Sequence, residues 1–359
     1  MARRPANLIS CRAVMNNVTA EHDSRQGGGA AQIFGRSRRA WVIIAALACA
    51  LAGLAYVRMH LGTLHFGWPG ADAFGIRLHR LEIACIVGVA LAVSGVGLQT
   101  LLRNPLAEPF ILGLSTGAGV GVMGQWYLAH EMGRPLGPSY YGALLGAGAS
   151  LSIVYLTSRK RGMIDPLGLL LVGVVLSTIN GAIILLINYT VGSAGLRDDL
   201  ALWMMGNINE AVSGGTLIAV AAITAAGLAL LVGLGRAMDV AGFSQAEAES
   251  IGVNMRRLRA VLFVVASVLA SGAVVLIGPL AFVGLICPHL ARLMLGPSHR
   301  ALLIGSAICG AILVTAADSL STVLNLTFHV GRLPLGIFTA VLGGVCFLWM
   351  LRPALGKQM

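Results

Sequence analysis

Long apolar runs follow one another along most of this chain, from near residue 40 to near residue 351. A helix needs about 20 predominantly apolar residues to cross the hydrocarbon core of a bilayer. Ten runs meet or approach that length: 40–58, 79–102, 109–129, 138–157, 167–190, 213–234, 257–277, 280–295, 300–321 and 335–351. Because backbone in lipid must satisfy its own hydrogen bonds, such runs fold as helices. The sequence therefore predicts an all-α, polytopic membrane protein with ten transmembrane helices.

The composition supports lipid as the main solvent of the chain. Charged residues make up 11% of the sequence and the mean hydropathy is +0.84, whereas a soluble domain carries about 25% charged residues. The net charge of +11 comes from basic residues that lie between the apolar runs, so it indicates membrane orientation rather than nucleic-acid binding. The six cysteines have no metal-ligand spacing, and we expect neither a cofactor nor a metal.

The distribution of basic residues predicts the orientation of the chain. With the N-terminus inside and ten spans, the inner segments hold 19 Lys and Arg residues and the outer segments hold 6. Cytoplasmic loops carry this excess in bacterial membrane proteins, so both termini are predicted to be cytoplasmic. Residues 1–39 are polar and basic and predict a disordered cytoplasmic tail before a permease domain at 40–355. A signal peptide remains the alternative for the first run, because an Arg-rich flank and Ala-x-Ala sites are present.

A weak internal repeat is visible in the two halves of the chain. Ser94-Gly95 precedes the Asn-Pro-Leu-Ala motif at 104–107, and Ser271-Gly272 precedes the Gly-Pro-Leu-Ala motif at 278–281. The first motif falls at the inner face and the second at the outer face. An inverted-topology repeat, common in transporters, predicts this arrangement; chance similarity between helices rich in Gly, Ala and Leu is the alternative.

The sequence contains no nucleotide-binding loop and no catalytic constellation. The two lysines, Lys160 and Lys357, have no Gly-rich context, so the chain cannot cradle phosphates in the P-loop manner. We therefore expect a transport subunit rather than an enzyme, powered by ATP hydrolysis on a separate chain or by an ion gradient. An ion-coupled secondary carrier would need an intramembrane carboxylate relay, and Asp318 is better explained as a hydrogen-bonded structural acid.

An inner loop between the sixth and seventh runs predicts a short helix outside the membrane. Ser244 and Glu247 form a capping-box pattern, and Gly252 is a natural helix stop. The helix should cover about residues 245–251 on the cytoplasmic face. It is either an ordinary loop helix or a lever that contacts a cytoplasmic subunit.

This loop resembles the coupling segment of the FecCD-type permeases, the vitamin B12, iron–siderophore and heme class of ABC importers. The family pattern is Leu-Gly-x-x-x-Ala-x-x-Leu-Gly, and Phe243-Ser244, Ala248 and Ile251-Gly252 stand at its positions. Ser244 replaces the first Gly. Further segments similar to family motifs lie at 77–80, 103–109, 203–206, 278–292, 318 and 333–336. The resemblance covers about residues 75–355, and it excludes the N-terminal tail.

The resemblance implies a type II ABC importer permease fold and a set of partners. It implies a homodimer with the pathway at its interface, two cytoplasmic ATPase subunits, and a periplasmic binding protein that delivers substrate at the bacterial inner membrane. Outer arginines of the family receive acidic residues of the binding protein, which implies that role for Arg77, Arg80 and Arg332. Coupling to the ATPase is implied for Ser244, Glu247, Ala248, Ile251 and Gly252.

The resemblance also implies an inner gate, near Asn104 and Leu106 and at the start of the fifth run, Pro166 and Leu167. Leu and Pro can close a seam, while Asn104 can satisfy exposed backbone at a helix break. Ordinary loop structure is the alternative for these residues.

Polar residues of the fifth run predict the translocation pathway. Ser177, Asn180 and Asn188 lie on one helical face, and asparagine facing lipid is costly. This face should line a water-filled path, together with Arg197 beyond it; interhelical hydrogen bonding is the alternative.

Heme is the substrate that the sequence favours, with a ferric siderophore second and cobalamin third. The basis is a set of basic groups on the predicted outer side: His60, His65, His79, His130, His329 and Arg197.

Overall fold

A computed structural model describes residues 38–62, 66–133, 140–160, 162–191, 203–208, 210, 212–242, 245–329, 331 and 333–355. The predicted tail lies outside the described residues, apart from its last two positions. Residues Leu47–Met359 form one compact unit, and Arg38–Ala46 are the described part of a separate N-terminal unit.

Eleven helices account for most of the described residues. They are α1 Arg38–His60, α2 Ala71–Leu102, α3 Leu114–Glu131, α4 Tyr140–Thr157, α5 Pro166–Val191, α6 Gly214–Val240, α7 Gln245–Ser250, α8 Met255–Ile277, α9 Val283–Leu295, α10 His299–Phe328 and α11 Leu335–Leu355. A 3-10 turn, Pro109–Leu112, lies between α2 and α3.

Each of the ten predicted spans coincides with one helix, and α7 is the helix predicted outside them. Among the described residues, α1, α2, α4, α5, α6, α8 and α10 are long and apolar enough to cross a bilayer. Helices α9 and α11 are shorter in their described apolar parts, and α3 is richer in polar and small residues. The protein is thus a polytopic helical membrane protein, while the count of ten crossings stays a prediction.

Two details of the fold differ from the sequence prediction. Helix α2 begins at Ala71 rather than at residue 79, so Arg77 lies inside the helix and not in a loop before it. Arg77 donates to backbone carbonyls of distant residues and Arg80 pairs with Asp318, and the apolar content of the sequence cannot show either partner. A small hairpin, β1 Arg159–Lys160 paired antiparallel with β2 Met163–Ile164, also interrupts the all-helical pattern.

Helix α2 is the centre of the compact unit. It packs against α6, α8, α9 and α10, and 78% of its most apolar window is buried. The corresponding window of α5 is 17% buried. Large side chains on α5 such as Leu171, Val175 and Leu186 are therefore exposed, and this surface is available to lipid or to another protein.

Glycines bring the backbones of α3 and α4 into contact. Gly117 and Gly121 of α3 face Gly142 and Gly146 of α4, and a Cβ atom at these positions would collide with the opposite backbone. Small residues allow this close approach of helices, which gains dispersion contacts that lipid does not supply.

We predict that Gly121→Ala destabilises the protein by about 1–3 kcal/mol, the usual cost of overpacking. The added methyl group would collide with the carbonyl oxygen of Gly142. Gly124→Ala is the matched control on the same helix, because nothing lies within 4 Å of its Cβ position. Thermal unfolding of the detergent-solubilised protein measures both, and equal melting temperatures for the two variants would contradict the prediction.

Candidate functional site

A buried cluster of charges lies where α1, α2 and α10 meet. Asp318 of α10 is fully buried. One carboxylate oxygen accepts a hydrogen bond from Arg58 Nε at 2.5 Å, and the other accepts from Arg80 Nε at 2.9 Å and Nη2 at 2.7 Å. The geometry fits the hydrogen-bonded structural acid expected from the sequence, because each oxygen of this carboxylate accepts a hydrogen bond from an arginine.

The predicted docking arginines have other partners in the structure. Arg80 is 2% exposed and its guanidinium group holds Asp318. Arg77 is 8% exposed, and its Nη1 donates to the carbonyl oxygens of Met59 at 2.7 Å and Gly67 at 2.8 Å. Burial argues against Arg80 as a docking residue, because releasing it would leave Asp318 without one of its two counter-charges. Arg332 lies outside the described residues.

The same cluster reaches the segment that precedes α6. Arg80 Nη1 donates to the Ile208 carbonyl at 3.4 Å and to Glu210 Oε1 at 3.3 Å. His79 Nε2 lies 2.9 Å from the carbonyl oxygen of Val212. Sequence analysis missed Arg58 and Glu210 as members of this cluster. A signal was present, since an acid inside an apolar run needs a counter-charge nearby.

The Trp203–Gly206 motif joins the ends of two helices. Asn207 donates its backbone N–H to the Ile277 carbonyl at 2.9 Å, at the end of α8. Leu335 and Gly336, at the start of α11, donate to the carbonyls of Gly206 and Met205 at 2.8 and 2.9 Å. The motif therefore fixes irregular backbone next to the charge cluster.

At the predicted inner gate, Asn104 acts on the backbone of the helix break. Its Oδ1 accepts from the Leu106 N–H at 2.9 Å, and its own N–H donates to the Gln99 carbonyl at 3.1 Å. Leu106 is half-buried. Pro166 is the first residue of α5, and Leu167 beside it is 63% exposed. The arrangement leaves Leu167 free to meet another surface, and gating stays a prediction.

The predicted pathway residues divide into two groups. Asn180 is 6% exposed, and its Nδ2 donates to Ser150 Oγ at 3.1 Å and to Thr116 Oγ1 at 3.3 Å. It thereby joins α3, α4 and α5, which fits the alternative of interhelical hydrogen bonding. Ser177 and Asn188 are half-buried, and a pathway role stays a prediction for them. Arg197 lies outside the described residues.

Helix α7 has the position and the termination that the sequence predicts. The Gly252 N–H donates to the Glu249 carbonyl and the Val253 N–H to the Ala248 carbonyl, both at 3.0 Å. With Gly252 at φ +88°, this is a Schellman motif. Ala248 is fully buried and Glu247 is exposed. Ser244, the predicted N-cap, lies outside the described residues.

Ile251 follows α7 and is 63% exposed. The neighbouring hairpin packs against α8, where Arg259 Nη1 donates to the Ile164 carbonyl at 3.3 Å. The loop between α6 and α8 therefore presents an apolar side chain at the end of a short, well-terminated helix. Among the described residues, no group of three or more His, Cys, Asp or Glu side chains converges on a metal site.

Comparisons with known proteins agree with this architecture. Residues 70–353 match the FecCD transport family. The chain is 36% identical to the vitamin B12 import system permease protein BtuC of Vibrio cholerae over 276 residues, which are 77% of this chain and 81% of the relative. It is also 36% identical to the hemin transport system permease protein HmuU of Yersinia pestis over 281 residues, again 77% and 81%.

A solved structure also matches the fold. It is described as a metal-chelate type ABC transporter in an inward-facing conformation, and it aligns with a TM-score of 0.76 and 27% identity. The alignment covers 87% of this chain and 99% of that one. The apolar helices and these similarities together show a multi-pass membrane transport permease. The chain belongs to the FecCD transport family.

We predict that Asp318→Asn destabilises the folded protein by about 3–5 kcal/mol, because it leaves Arg58 and Arg80 buried beside a neutral group. Glu210→Gln is the control, since this carboxylate is 36% exposed and removing its charge should cost about 1 kcal/mol or less. Chemical unfolding in detergent measures both. Similar losses in the free energy of unfolding for the two variants would contradict the prediction, because burial of the carboxylate would then make no difference.

Proposed function

We propose that the protein is the membrane permease of an ABC importer that moves heme, or another iron chelate, from periplasm to cytoplasm across the bacterial inner membrane. Family membership supports the importer class. We assign ATP hydrolysis to a separate subunit because this sequence has no P-loop. The exposed end of helix α7 supplies a surface that such a cytoplasmic ATPase can contact. Two ATPase subunits and a periplasmic binding protein complete the proposed complex.

The proposed ATPase contact is the end of α7. Ile251 is a large apolar side chain that is mostly exposed, so a partner that covers it would gain buried apolar area. The Schellman motif fixes its position, and Ala248 anchors the helix through its buried methyl group. Closing of the ATPase subunits would move α7 as a unit, and access would switch only if the two states contact it differently.

The proposed homodimer interface includes α5. Its exposed face is apolar for most of its length, and Leu167, Leu171 and Val175 lie on it. Ser177 and Asn188 add polar groups on the same helix, which suits a path between two copies better than contact with lipid alone. Docking of the binding protein is proposed for Arg332, while Arg77 is buried against backbone carbonyls and Arg80 has its structural role at Asp318.

Sequence similarity does not choose among the substrates, because the B12 and hemin relatives are equally identical to this chain. Heme is proposed from the chemistry of the region around His60. Ring centroids of Tyr56, Trp68 and Phe66 lie 4.4, 5.2 and 5.8 Å from its imidazole ring, and all three side chains are exposed. Aromatic surfaces and an imidazole suit a planar iron macrocycle better than a hydrophilic siderophore. A ferric siderophore or cobalamin is the second candidate.

We predict that a strain without its own heme uptake grows on hemin as sole iron source when this permease, its binding protein and its ATPase are supplied. Uptake of labelled hemin, a ferric siderophore and cobalamin by the reconstituted complex measures the preference directly. Uptake that persists with an ionophore and stops without ATP excludes an ion-coupled carrier. Uptake of cobalamin or the siderophore without hemin would refute the heme proposal and leave the importer class intact.

We predict that Ile251→Glu abolishes co-purification of the ATPase subunit while the melting temperature of the permease stays unchanged, since the side chain is exposed. Loss of one buried apolar anchor at an interface costs about 2 kcal/mol or more, or roughly thirtyfold in affinity. Glu249→Gln in the same helix is the control and should retain binding. Normal co-purification of the Ile251→Glu variant would contradict the assignment of this surface.

A further inference from the structure

The two breaks in the helical bundle meet each other directly. After α2 the chain passes through a Pro-Leu-Ala sequence at 105–107, and after α8 it passes through another at 279–281. The next residues are Glu108 and Phe282. A carboxylate oxygen of Glu108 accepts a hydrogen bond from the backbone N–H of Phe282. Corresponding positions of the two motifs are therefore joined, although 174 residues separate them in sequence.

Helix α9 needs this hydrogen bond because its own segment does not supply one. Phe282 is the N-cap residue, lies at φ +69°, and makes no side-chain cap. The first amides of a helix have no partner within the helix. Val283 and Gly284 are buried, so those amides cannot all turn to water. A carboxylate at a helix N-terminus also interacts favourably with the helix dipole. Glu108 thus caps α9 from the other break.

The surrounding contacts hold the junction tightly. A Cβ atom on Gly284 would lie 2.8 Å from the Pro109 ring, and one on Gly95 would collide with the Gly284 carbonyl. Gln99 Nε2 donates to the same carbonyl at 3.3 Å. The first turn of α9 therefore lies against both α2 and the segment that follows α2.

Glu108 carries an ionisable group in buried surroundings, where desolvation disfavours its charged form. It lies in the connection between α2 and α3, where burial raises its pKa to about 7 and the Phe282 N–H offsets part of that rise. An apolar side chain could fill the same space without this desolvation cost. The hydrogen bond to Phe282 is the interaction that this group provides.

We propose that Glu108 is a positioning residue for transport, which couples the segment at 104–108 to the N-terminus of α9. Asn104 and Leu106, the proposed gate residues, belong to that same segment. A displacement of the gate would then pull on α9, and a displacement of α9 would act on the gate. The transport part of this inference rests on the proposed function, whereas the capping part stands on the contact alone.

The capping part is tested by hydrogen exchange of the purified permease in nanodiscs. In Glu108→Ala, amides 282–286 should exchange about tenfold faster, the change expected for a buried amide that loses its partner. Glu108→Gln keeps an acceptor oxygen and should change exchange by about twofold or less. Glu82→Gln on the exposed side of α2 is the matched control. Equal exchange in Glu108→Ala and wild type would overturn the proposal.

The coupling part is tested in proteoliposomes that contain the permease, its ATPase and its binding protein. Glu108→Ala should lower hemin uptake about tenfold and leave ATP hydrolysis within about twofold of wild type, while Glu108→Gln restores most of the uptake. If Glu108→Ala does not fold, Glu108→Gln and Glu108→Asp carry the test, because Asp keeps the charge but shortens the reach. Full uptake with all three variants would refute coupling through Glu108. No uptake by wild type would refute the proposed function instead.

Discussion

The pairing of Asp318 with two arginines is the interaction on which the junction of α1, α2 and α10 depends. Arg58, Arg80 and Asp318 are all nearly inaccessible to solvent, so the carboxylate is stabilised mainly by the two arginines rather than by water. Such a cluster contributes little compared with apolar packing of the same volume, but removing one member is severe. It therefore fixes how α1, α2 and α10 meet rather than adding much to stability. Arg80 extends this constraint to Glu210 and to the backbone at Ile208.

That constraint separates a fixed, charged junction from apolar side chains that remain accessible. The segment bonded to Arg80 continues into the motif that ties the end of α8 to the start of α11. Charges used in this way cannot also dock a partner, because docking needs groups that water can reach. On the predicted inner side, Ile251 and Leu167 are exposed apolar side chains next to helix ends. The accessible features therefore lie where the proposed ATPase and gate contacts would form.

Much of the fold follows from the sequence, because lipid leaves the backbone few alternatives. Every long apolar run is a helix, and Gly252 ends α7 through the motif that its φ allows. The start of α2 could not be predicted from the sequence, because the partner of Arg80 lies 238 residues away and local composition cannot show it. Asn180 was ambiguous for a related reason. A polar helix face can line a water-filled path or contact a neighbouring helix. The hydrogen bonds from Asn180 to Thr116 and Ser150 show the second arrangement, and they are visible only in the structure.

Asn104 and Glu108, two polar residues within the helix breaks, form hydrogen bonds with backbone N–H groups. Buried backbone outside a regular helix is tolerated only where the protein or ordered water satisfies its hydrogen bonds. Asn104 does so for Leu106, and Glu108 does so for Phe282. A pathway assignment from polarity alone overlooks this demand. The two breaks are thus connected by hydrogen bonds as well as by packing, and a change at one break requires an adjustment at the other. Two breaks that are joined by such a cap have a physical reason to move together.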